Sequence, residues 1–251
     1  MRKPLLAANW KMFKTPAETT TFFDAFLPLV KDAAHAEIAV CAPFVDLPAA
    51  VAATAGTNVA VGGQNLYWAK EGAFTGEISG PMLKAVGCQW VIVGHSERRQ
   101  YFGETDASVL ERTRAALAAG LGVILCVGEM LTERENGETN AVLATQFAGG
   151  VAGLTPEEFA GIVIAYEPVW AIGTGKTATP AMAAEAHASI RSLAADAFGA
   201  EAAERLRILY GGSVKPDNVK ALMAEVEIDG ALVGGASLDP ASFAKIVNFE
   251  G

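Results

Sequence analysis

The chain has 251 residues, of which 51% are hydrophobic, and its formal net charge is −9. This length suits one large domain, and the apolar content is enough for a sizeable core. The acidic balance argues against nucleic acid or an anionic membrane as a partner. It does not exclude a small anionic ligand, because such a ligand is bound by a few local groups.

The start of the chain leads directly into an apolar stretch and lacks the length and cleavage site of a signal peptide. No apolar run in the sequence reaches the ~18 residues that a membrane span requires. The three cysteines are Cys41, Cys88 and Cys126, and an odd number without a secretory signal argues against a disulfide framework. We therefore expect a cytoplasmic protein whose cysteines are reduced and buried.

Eight short apolar runs recur along the chain and lack the alternation of a sheet with one solvent-exposed face. They are residues 5–9, 38–42, 59–62, 90–93, 123–127, 162–165, 207–210 and 231–233. Such runs are typical of strands buried on both faces of a parallel sheet. Between them lie Ala-, Leu- and Glu-rich stretches with helix signals: N-caps before proline at Thr15, Thr155 and Asp239, and a helix-ending glycine at Gly120.

Strands that alternate with helices eight times favour an α/β fold with a single (β/α)₈ barrel over residues 1–251. An open doubly wound sheet of similar length is the alternative that the pattern leaves open. Polar residues or glycine pairs follow seven of the eight predicted strands. Because the carboxyl ends of all strands in a parallel barrel share one face, we expect these residues to converge there.

Glu167 follows the apolar stretch 162–166 and is a candidate general base. A carboxylate at the end of a buried strand is partly desolvated, which raises its pKa and strengthens it as a base. A glutamate in this position can equally cap the next segment or pair with a lysine.

His95 follows the fourth predicted strand and precedes a helix start at 96–99. The positive end of a helix dipole disfavours imidazolium, so a neutral ring could donate a hydrogen bond to a carbonyl. The alternative is a purely structural histidine, a role that we assign to His35 and His187 in predicted helical stretches. The scattered histidines have no metal-ligand spacing with cysteine, and no zinc site is predicted.

Lys11 stands two residues after Asn9, at the end of the first predicted strand. A fixed cation there could hold a phosphate or the negative charge of an enediolate. A solvated surface lysine and a Schiff-base lysine, as in aldolases, are the alternatives.

Two glycine pairs follow the last two predicted strands: Gly211–Gly212, continued by Ser213, and Gly234–Gly235. A glycine pair is by itself more often an ordinary turn. However, the segments after strands seven and eight commonly bind phosphate in barrels, because glycine leaves backbone N–H groups accessible.

Residues 168–178 have the features of a lid, since they follow Glu167, begin with proline and contain glycines beside apolar side chains. Two partial motifs within them fail. The segment 175–177 ends like a phosphate-binding P-loop, but the first required glycine falls at Trp170. A looser dinucleotide-type pattern from 173 does not directly follow a strand.

Five segments together resemble the signature sequences of the triosephosphate isomerase family, in order and along nearly the whole chain. They are NWKM at 9–12, GHSERR at 94–99, AYEPVWAIGTG at 165–175, YGGSV at 210–214 and LVGGA at 232–236. The resemblance implies a TIM barrel that interconverts dihydroxyacetone phosphate and D-glyceraldehyde 3-phosphate. The reaction serves glycolysis and gluconeogenesis and needs neither cofactor nor metal.

The resemblance also implies a role for each site residue. Glu167 would transfer the carbon-bound proton through an enediolate, and neutral His95 would polarise the carbonyl, as in the standard description of this family. Lys11 and Asn9 would stabilise negative charge on the substrate oxygens. The phosphate would be held by backbone groups at Gly173, Ser213, Gly234 and Gly235.

The family forms homodimers, which implies that the loop around Phe74 and Thr75 docks on a second copy of the chain. A loop that packs only on its own chain is the alternative. Two other functions stay open on the residues alone: another phosphate-binding barrel enzyme of the aldolase-type lyase class, and a non-catalytic barrel scaffold.

Overall fold

A computed structural model describes residues 2–172 and 178–250 of the chain. Eight parallel strands pair with their neighbours in sequence order, and the last pairs with the first to close a barrel. They are β1 (Leu5–Asn9), β2 (Glu37–Cys41), β3 (Val59–Gly63), β4 (Trp90–Val93), β5 (Gly122–Val127), β6 (Ile162–Tyr166), β7 (Ile208–Tyr210) and β8 (Gly230–Val233). The predicted barrel is confirmed, and the open-sheet alternative is wrong.

Helices connect the strands. They are α1 (Pro16–Val30), α2 (Leu47–Thr54), α3 (Gly80–Val86), α4 (Ser96–Phe102), α5 (Asp106–Ala118), α6 (Leu131–Glu135), α7 (Thr139–Val151), α8 (Pro156–Phe159), α9 (Pro180–Phe198), α10 (Ala200–Arg205), α11 (Val219–Met223) and α12 (Pro240–Val247). Within the part of the chain that the structure describes, none of them is long and apolar enough to cross a membrane.

The predicted helix signals have the expected geometry. Thr15 and Thr155 form capping boxes, Asp239 accepts from the N–H of Ser242, and Gly120 follows α5 with a φ of 71°. These local interactions satisfy backbone groups that the helix ends would otherwise leave unpaired.

The two histidines assigned structural roles lie away from the candidate site. His187 lies in α9, and its Nδ1 is 3.0 Å from the carbonyl oxygen of Glu227. The prediction that His35 is helical is wrong, because α1 ends at Val30 and His35 lies in the connection to β2. Its Nε2 is 2.9 Å from the carbonyl oxygen of Val247, so a tertiary contact holds it in place.

The strands carry buried side chains on both faces, which explains their lack of polar alternation. In β1, Leu5 and Ala7 belong to the cluster inside the barrel, whereas Leu6 and Ala8 pack against the surrounding helices. The three cysteines are buried and free, as predicted. The barrel interior is filled by side chains, and enzymes of this architecture bind their ligands at the carboxyl ends of the strands.

Candidate active site

Side chains from β1, β4 and β6 meet at the carboxyl end of the barrel. His95 follows β4, and its Nε2 lies 2.8 Å from Oε1 of Glu167, the residue after β6. Lys11 follows β1, and its Nζ lies 2.6 Å from Oε1 of Glu97, two residues beyond His95. The structure therefore brings the carboxylate, the imidazole and the ammonium to one mouth.

Glu167 is held from two sides at the end of β6. Only 2% of its side chain is exposed, and its Oε2 accepts a hydrogen bond of 3.0 Å from the backbone N–H of Ser96. The backbone of Glu167 is also closely packed, since a Cβ added at Gly128 would collide with the carbonyl oxygen of Glu167. Glycine at position 128 is therefore required for β5 to approach the base this closely.

The charge environment of Glu167 corrects one sequence prediction. Burial raises its pKa, but the charge and hydrogen bond of His95, together with the Ser96 N–H, outweigh burial and lower the pKa overall. The prediction of a raised pKa is thus wrong for this arrangement. It neglected the two donors, which lie 71 and 72 residues away in the chain.

The ring of His95 has a defined hydrogen-bonding pattern. Its Nδ1 accepts a bond of 3.2 Å from the backbone N–H of Glu97 in the first turn of α4. A nitrogen that accepts cannot carry a proton, so the bonding pattern assigns a neutral ring with its proton on Nε2. Burial acts to lower the pKa of His95, but Glu167 raises it overall. The neutral form is therefore favoured here by the Glu97 N–H and not by a low pKa.

Lys11 occupies a strained backbone conformation that side chains support at both ends. Its φ is 52°, in the left-handed region that few non-glycine residues adopt. Its N–H donates to Oδ1 of buried Asn9 over 3.1 Å, and its carbonyl accepts from Nε2 of Gln64 over 2.9 Å. The same Nε2 lies 3.0 Å from the carbonyl of Cys41. Sequence reasoning assigned no role to Gln64.

A cavity of about 280 Å³ opens beside these groups. Its polar lining comes from Asn9, Lys11, Gln64, Asn65, His95, Glu97 and Arg98. Glu167 instead lines a neighbouring cavity, also of about 280 Å³, together with Ser96, Arg99 and Cys126. In this arrangement the carboxylate is hydrogen-bonded to His95 and turned away from the first cavity.

The segments proposed to hold phosphate follow adjacent strands. Tyr210 of β7 pairs with Ala231 of β8, so Ser213 and Gly234 follow neighbouring strand ends. A Cβ added at Gly234 would lie 3.7 Å from Cε of Lys11.

Two other residues were predicted to bind phosphate, and the structure describes one of them. Gly235 is exposed and begins a 3₁₀ turn, Gly235–Ser237. Gly173 lies outside the described residues.

The first part of the predicted lid is a 3₁₀ turn over Val169–Ala171. Fully buried Glu129 accepts through Oε1 from the Trp170 indole over 2.9 Å and from the Tyr166 hydroxyl over 3.1 Å. Arg134 lies 3.3 Å from the same oxygen. Residues 173–177 of this segment lie outside the described part of the chain.

Metal ligation has no visible basis in the described ranges. Residues 2–172 and 178–250 contain no cluster of three or more His, Cys, Asp or Glu side chains placed to bind a metal ion.

Comparison with known proteins agrees with this geometry. The triosephosphate isomerase family model matches residues 4–250. The chain is 66% identical over 249 residues to a triosephosphate isomerase of Solibacter usitatus (99% of this chain, 100% of the relative). It is 55% identical to that of Trichlorobacter lovleyi, with complete coverage of both chains.

A solved structure of a triosephosphate isomerase from Bartonella henselae superposes with a TM-score of 0.89 at 40% identity and covers 99% of each chain. The match thus extends from sequence to architecture. With the family model and these relatives aligned over almost its full length, the chain belongs to the triosephosphate isomerase family.

Proposed function

We propose that the whole chain, 1–251, acts as one catalytic domain that interconverts dihydroxyacetone phosphate and D-glyceraldehyde 3-phosphate. The observation that supports this most is the contact of 2.8 Å between Glu167 and His95 at a mouth that also holds Lys11. A base, a hydrogen-bond donor and a cation around one small cavity suit proton abstraction next to a carbonyl.

Glu167 takes the proton from the hydroxyl-bearing carbon, and the electrons of that C–H bond form the double bond of an enediolate. The carbonyl oxygen gains the negative charge and is stabilised by the Nε2–H of neutral His95. The former carbonyl oxygen then takes a proton from Nε2 of His95, and the same nitrogen recovers a proton from the neighbouring hydroxyl, which becomes the new carbonyl. Return of the carbon-bound proton from Glu167 to the former carbonyl carbon completes the isomerisation, so atoms and electrons balance without a redox partner.

Substrate must first separate the two catalytic groups. Nε2 of His95 donates to Glu167 in this arrangement, so a substrate oxygen has to replace the carboxylate as acceptor. Glu167 then loses one of the interactions that lower its pKa while it stays shielded from water. Substrate binding thereby strengthens the base at the moment when it is needed.

Lys11 supplies a positive charge to the cavity, and Asn9 helps to position it. The ammonium of Lys11, held by Glu97, is available to the substrate oxygens and phosphate, and Asn9 supports the strained Lys11 backbone. Fixed dipoles and charges of this kind stabilise an enediolate without reorganisation during the reaction.

Backbone groups after β7 and β8 suit the phosphate. We assign this role to Ser213, Gly234, Gly235 and Gly173. Closure of the segment 168–178 would exclude water from the enediolate, whose exposure would permit loss of phosphate as a side reaction.

The two other functions are less well supported. A Schiff-base lyase needs a free amine, whereas Nζ of Lys11 lies 2.6 Å from a carboxylate in an ion pair. A non-catalytic scaffold has no need of a buried carboxylate that contacts an imidazole at 2.8 Å.

A coupled assay with purified protein tests the proposal directly. We expect dihydroxyacetone phosphate to form from D-glyceraldehyde 3-phosphate without added metal or cofactor, at unchanged rate in the presence of a chelator. Borohydride reduction with substrate should leave Lys11 unmodified. A covalent adduct at Lys11, or no turnover by folded protein, would contradict the proposed reaction.

We also infer a homodimer formed through the loop around Phe74 and Thr75. The ring of Phe74 packs at a tilt against Tyr67 of its own chain, with the ring centroids 4.6 Å apart, yet 43% of Phe74 remains exposed. Met12, beside the catalytic cavity, is 94% exposed, and a second copy could cover it. Light scattering should give twice the chain mass of 26.1 kDa, and Thr75→Arg should shift it towards the monomer.

A cytoplasmic location and a place in glycolysis and gluconeogenesis follow from the proposed reaction. The three free, buried cysteines suit a reducing compartment. Cell fractionation with a tagged chain would test the location, and recovery in a secreted or membrane fraction would contradict it.

A further inference from the structure

Arg99 of α4 is a largely buried arginine that the proposed reaction does not use. Its Nε donates to the carbonyl oxygen of Gly94 over 2.9 Å, and its Nη1 donates to Oδ1 of Asp106 over 2.6 Å. Its Nη2 is buried and has no hydrogen-bond partner among the described residues. Only 17% of the side chain is exposed, so the guanidinium is committed to contacts inside the protein.

The carbonyl that Arg99 holds belongs to a turn with an unusual backbone. Gly94 has a φ of 70°, which permits the chain to leave β4 and enter α4 within two residues. The next two residues, His95 and Ser96, each provide a hydrogen bond to Glu167. The orientation of one short turn therefore sets these two contacts of Glu167.

Asp106 connects this turn to a stable element. It is the first residue of α5, directly after the N-cap Thr105, whose capping box holds the start of that helix. Through Arg99, the turn at Gly94 is thus tied to the end of a 13-residue helix. A turn without such an anchor would be free to shift with loop motion.

Arg99 also lines the cavity of about 280 Å³ that Glu167 faces, behind the base as seen from the Lys11 cavity. The titratable and charged groups around Glu167 are His95 before α4, Arg99 on α4, Lys11 after β1, Cys126 on β5 and Glu133 on α6. From β7, the contact is Gly211, which carries no titratable group.

We propose that Arg99 is a positioning residue for the catalytic pair: its guanidinium holds the Gly94 carbonyl and thereby aims His95 Nε2–H and Ser96 N–H at Glu167. This inference rests on the proposed function for its kinetic consequence. Its structural content, the link from Arg99 to the base, stands independently of the reaction.

The role requires arginine. The planar guanidinium presents separate donors in a fixed fork and can reach Gly94 and Asp106 together. Lysine at position 99 would keep the positive charge behind Glu167 but would present one flexible ammonium group. Arg99→Lys therefore separates positioning from simple charge.

The test compares Arg99→Lys with Arg114→Lys, a control on α5 whose arginine is about half exposed and pairs with Glu111. We expect Arg99→Lys to lower kcat about 10-fold with little change in KM, because small misplacements of catalytic groups are costly. The acid limb of the pH profile of kcat/KM should move to higher pH, since Glu167 loses part of the hydrogen bonding that lowers its pKa. Arg114→Lys should change neither kcat nor the acid limb of the pH profile.

A readout without turnover separates this inference from the proposed function. Carbon-13 NMR of labelled glutamate, assigned with Glu167→Gln, follows the titration of Glu167 whether or not the chain is an isomerase. A raised pKa of Glu167 in folded Arg99→Lys supports positioning even if the wild-type chain is inactive. An unchanged titration would overturn the inference even if the wild-type chain is an isomerase.

If Arg99→Lys does not fold, Asp106→Ala serves as the second variant, because it keeps Arg99 and removes only its anchor. The same upward shift in the Glu167 titration, of smaller size, is then expected. A titration identical to that of the wild-type chain would reject the link between Arg99 and the base.

Discussion

The two ends of the barrel use charged residues in opposite ways. At the amino end, buried Asp229 accepts from Arg2 over 2.5 Å, from Arg191 over 2.8 Å and from the Ile208 N–H over 2.9 Å. Each carboxylate oxygen has a cationic partner, and the contacts connect β7, β8 and α9. This end has the saturated pairing that a buried charge requires.

The carboxyl end leaves several polar groups strained or incompletely paired. Lys11 has a left-handed backbone, and Arg99 Nη2 and Glu129 Oε2 are buried without hydrogen-bond partners in the described residues. Such features cost free energy and persist only where the surrounding structure holds them. The difference indicates that stability comes disproportionately from one end and chemistry from the other, so mutations should separate the two properties.

Glu167→Ala should have the largest effect, and it should lower the rate of the reaction without unfolding the barrel. We expect kcat to fall by about 10²–10⁴ or more, the range for loss of a general base, while the barrel stays folded. Steady-state kinetics and circular dichroism measure the two quantities. Glu157→Ala, on an exposed turn of α8, is the matched control. Near-normal turnover by the Glu167 variant would remove this residue from the mechanism.

His95→Gln should lower kcat by about 10²–10³ and leave phosphate affinity nearly unchanged, since the amide can donate a hydrogen bond but cannot transfer a proton to the enediolate as imidazole can. Competitive inhibition by inorganic phosphate measures the affinity, and His35→Gln is the control for loss of an imidazole. A collapse of phosphate affinity with kcat preserved would make His95 a binding group instead.

Asp229→Ala should destabilise the fold by about 3 kcal/mol, because it leaves two arginines at the amino end without their carboxylate. Below the unfolding transition, kcat should match that of the wild-type chain. Denaturant unfolding gives the loss of stability and steady-state kinetics give kcat, with Asp217→Ala on the exposed surface as control. A large fall in kcat in the folded variant would show that the two ends are coupled.

Asp46→Asn should have the smallest effect and should increase stability. Asp46 is fully buried, and neither carboxylate oxygen has a partner within residues 2–172 and 178–250. Burial and then the charge of Glu18 raise its pKa above the unfolded value. The free energy of unfolding of the wild-type chain therefore falls as pH rises from the unfolded-state pKa of Asp46 through its folded-state pKa. Below the unfolded-state pKa, Asp46 is protonated in both states and does not destabilise the fold.

The stability gain of Asp46→Asn should accordingly be about 1 kcal/mol near neutral pH and vanish below about pH 4. Denaturant midpoints at both pH values test this, with Asp24→Asn on the exposed face of α1 as control. A gain that is equal at both pH values would exclude the charge of Asp46 as its cause.

The local parts of the fold were predictable because their causes are local. Thr15 caps a helix that starts one residue later, and Gly120 ends another from two residues beyond it. Apolar runs of three to five residues marked all eight strands within one residue of their observed bounds. Polar side chains at strand ends then placed Glu167, His95 and Lys11 at one mouth as soon as the strands were taken as parallel.

The partners of those side chains could not be predicted from spacing. Ser96 and Glu167 are 71 residues apart, and Gln64 and Lys11 are 53 apart, yet each pair is hydrogen-bonded. The direction of the Glu167 pKa was mistaken for the same reason, since the sequence displays its burial but not its donors. The prediction that His35 is helical was wrong because α1 ends at Val30, and a tertiary contact with Val247 holds His35 in the connection to β2.

The amino-acid sequence by itself determined the order of strands and helices, the helix ends and the identity of the charged groups at the strand ends, because these depend on neighbours within one or two turns. Only the tertiary structure decided that β8 closes on β1, that Glu167 is bonded to His95 and Ser96, and which polar groups stay unpaired. Those outcomes depend on distances between segments far apart in the chain, and closure of the barrel is what makes the distances short.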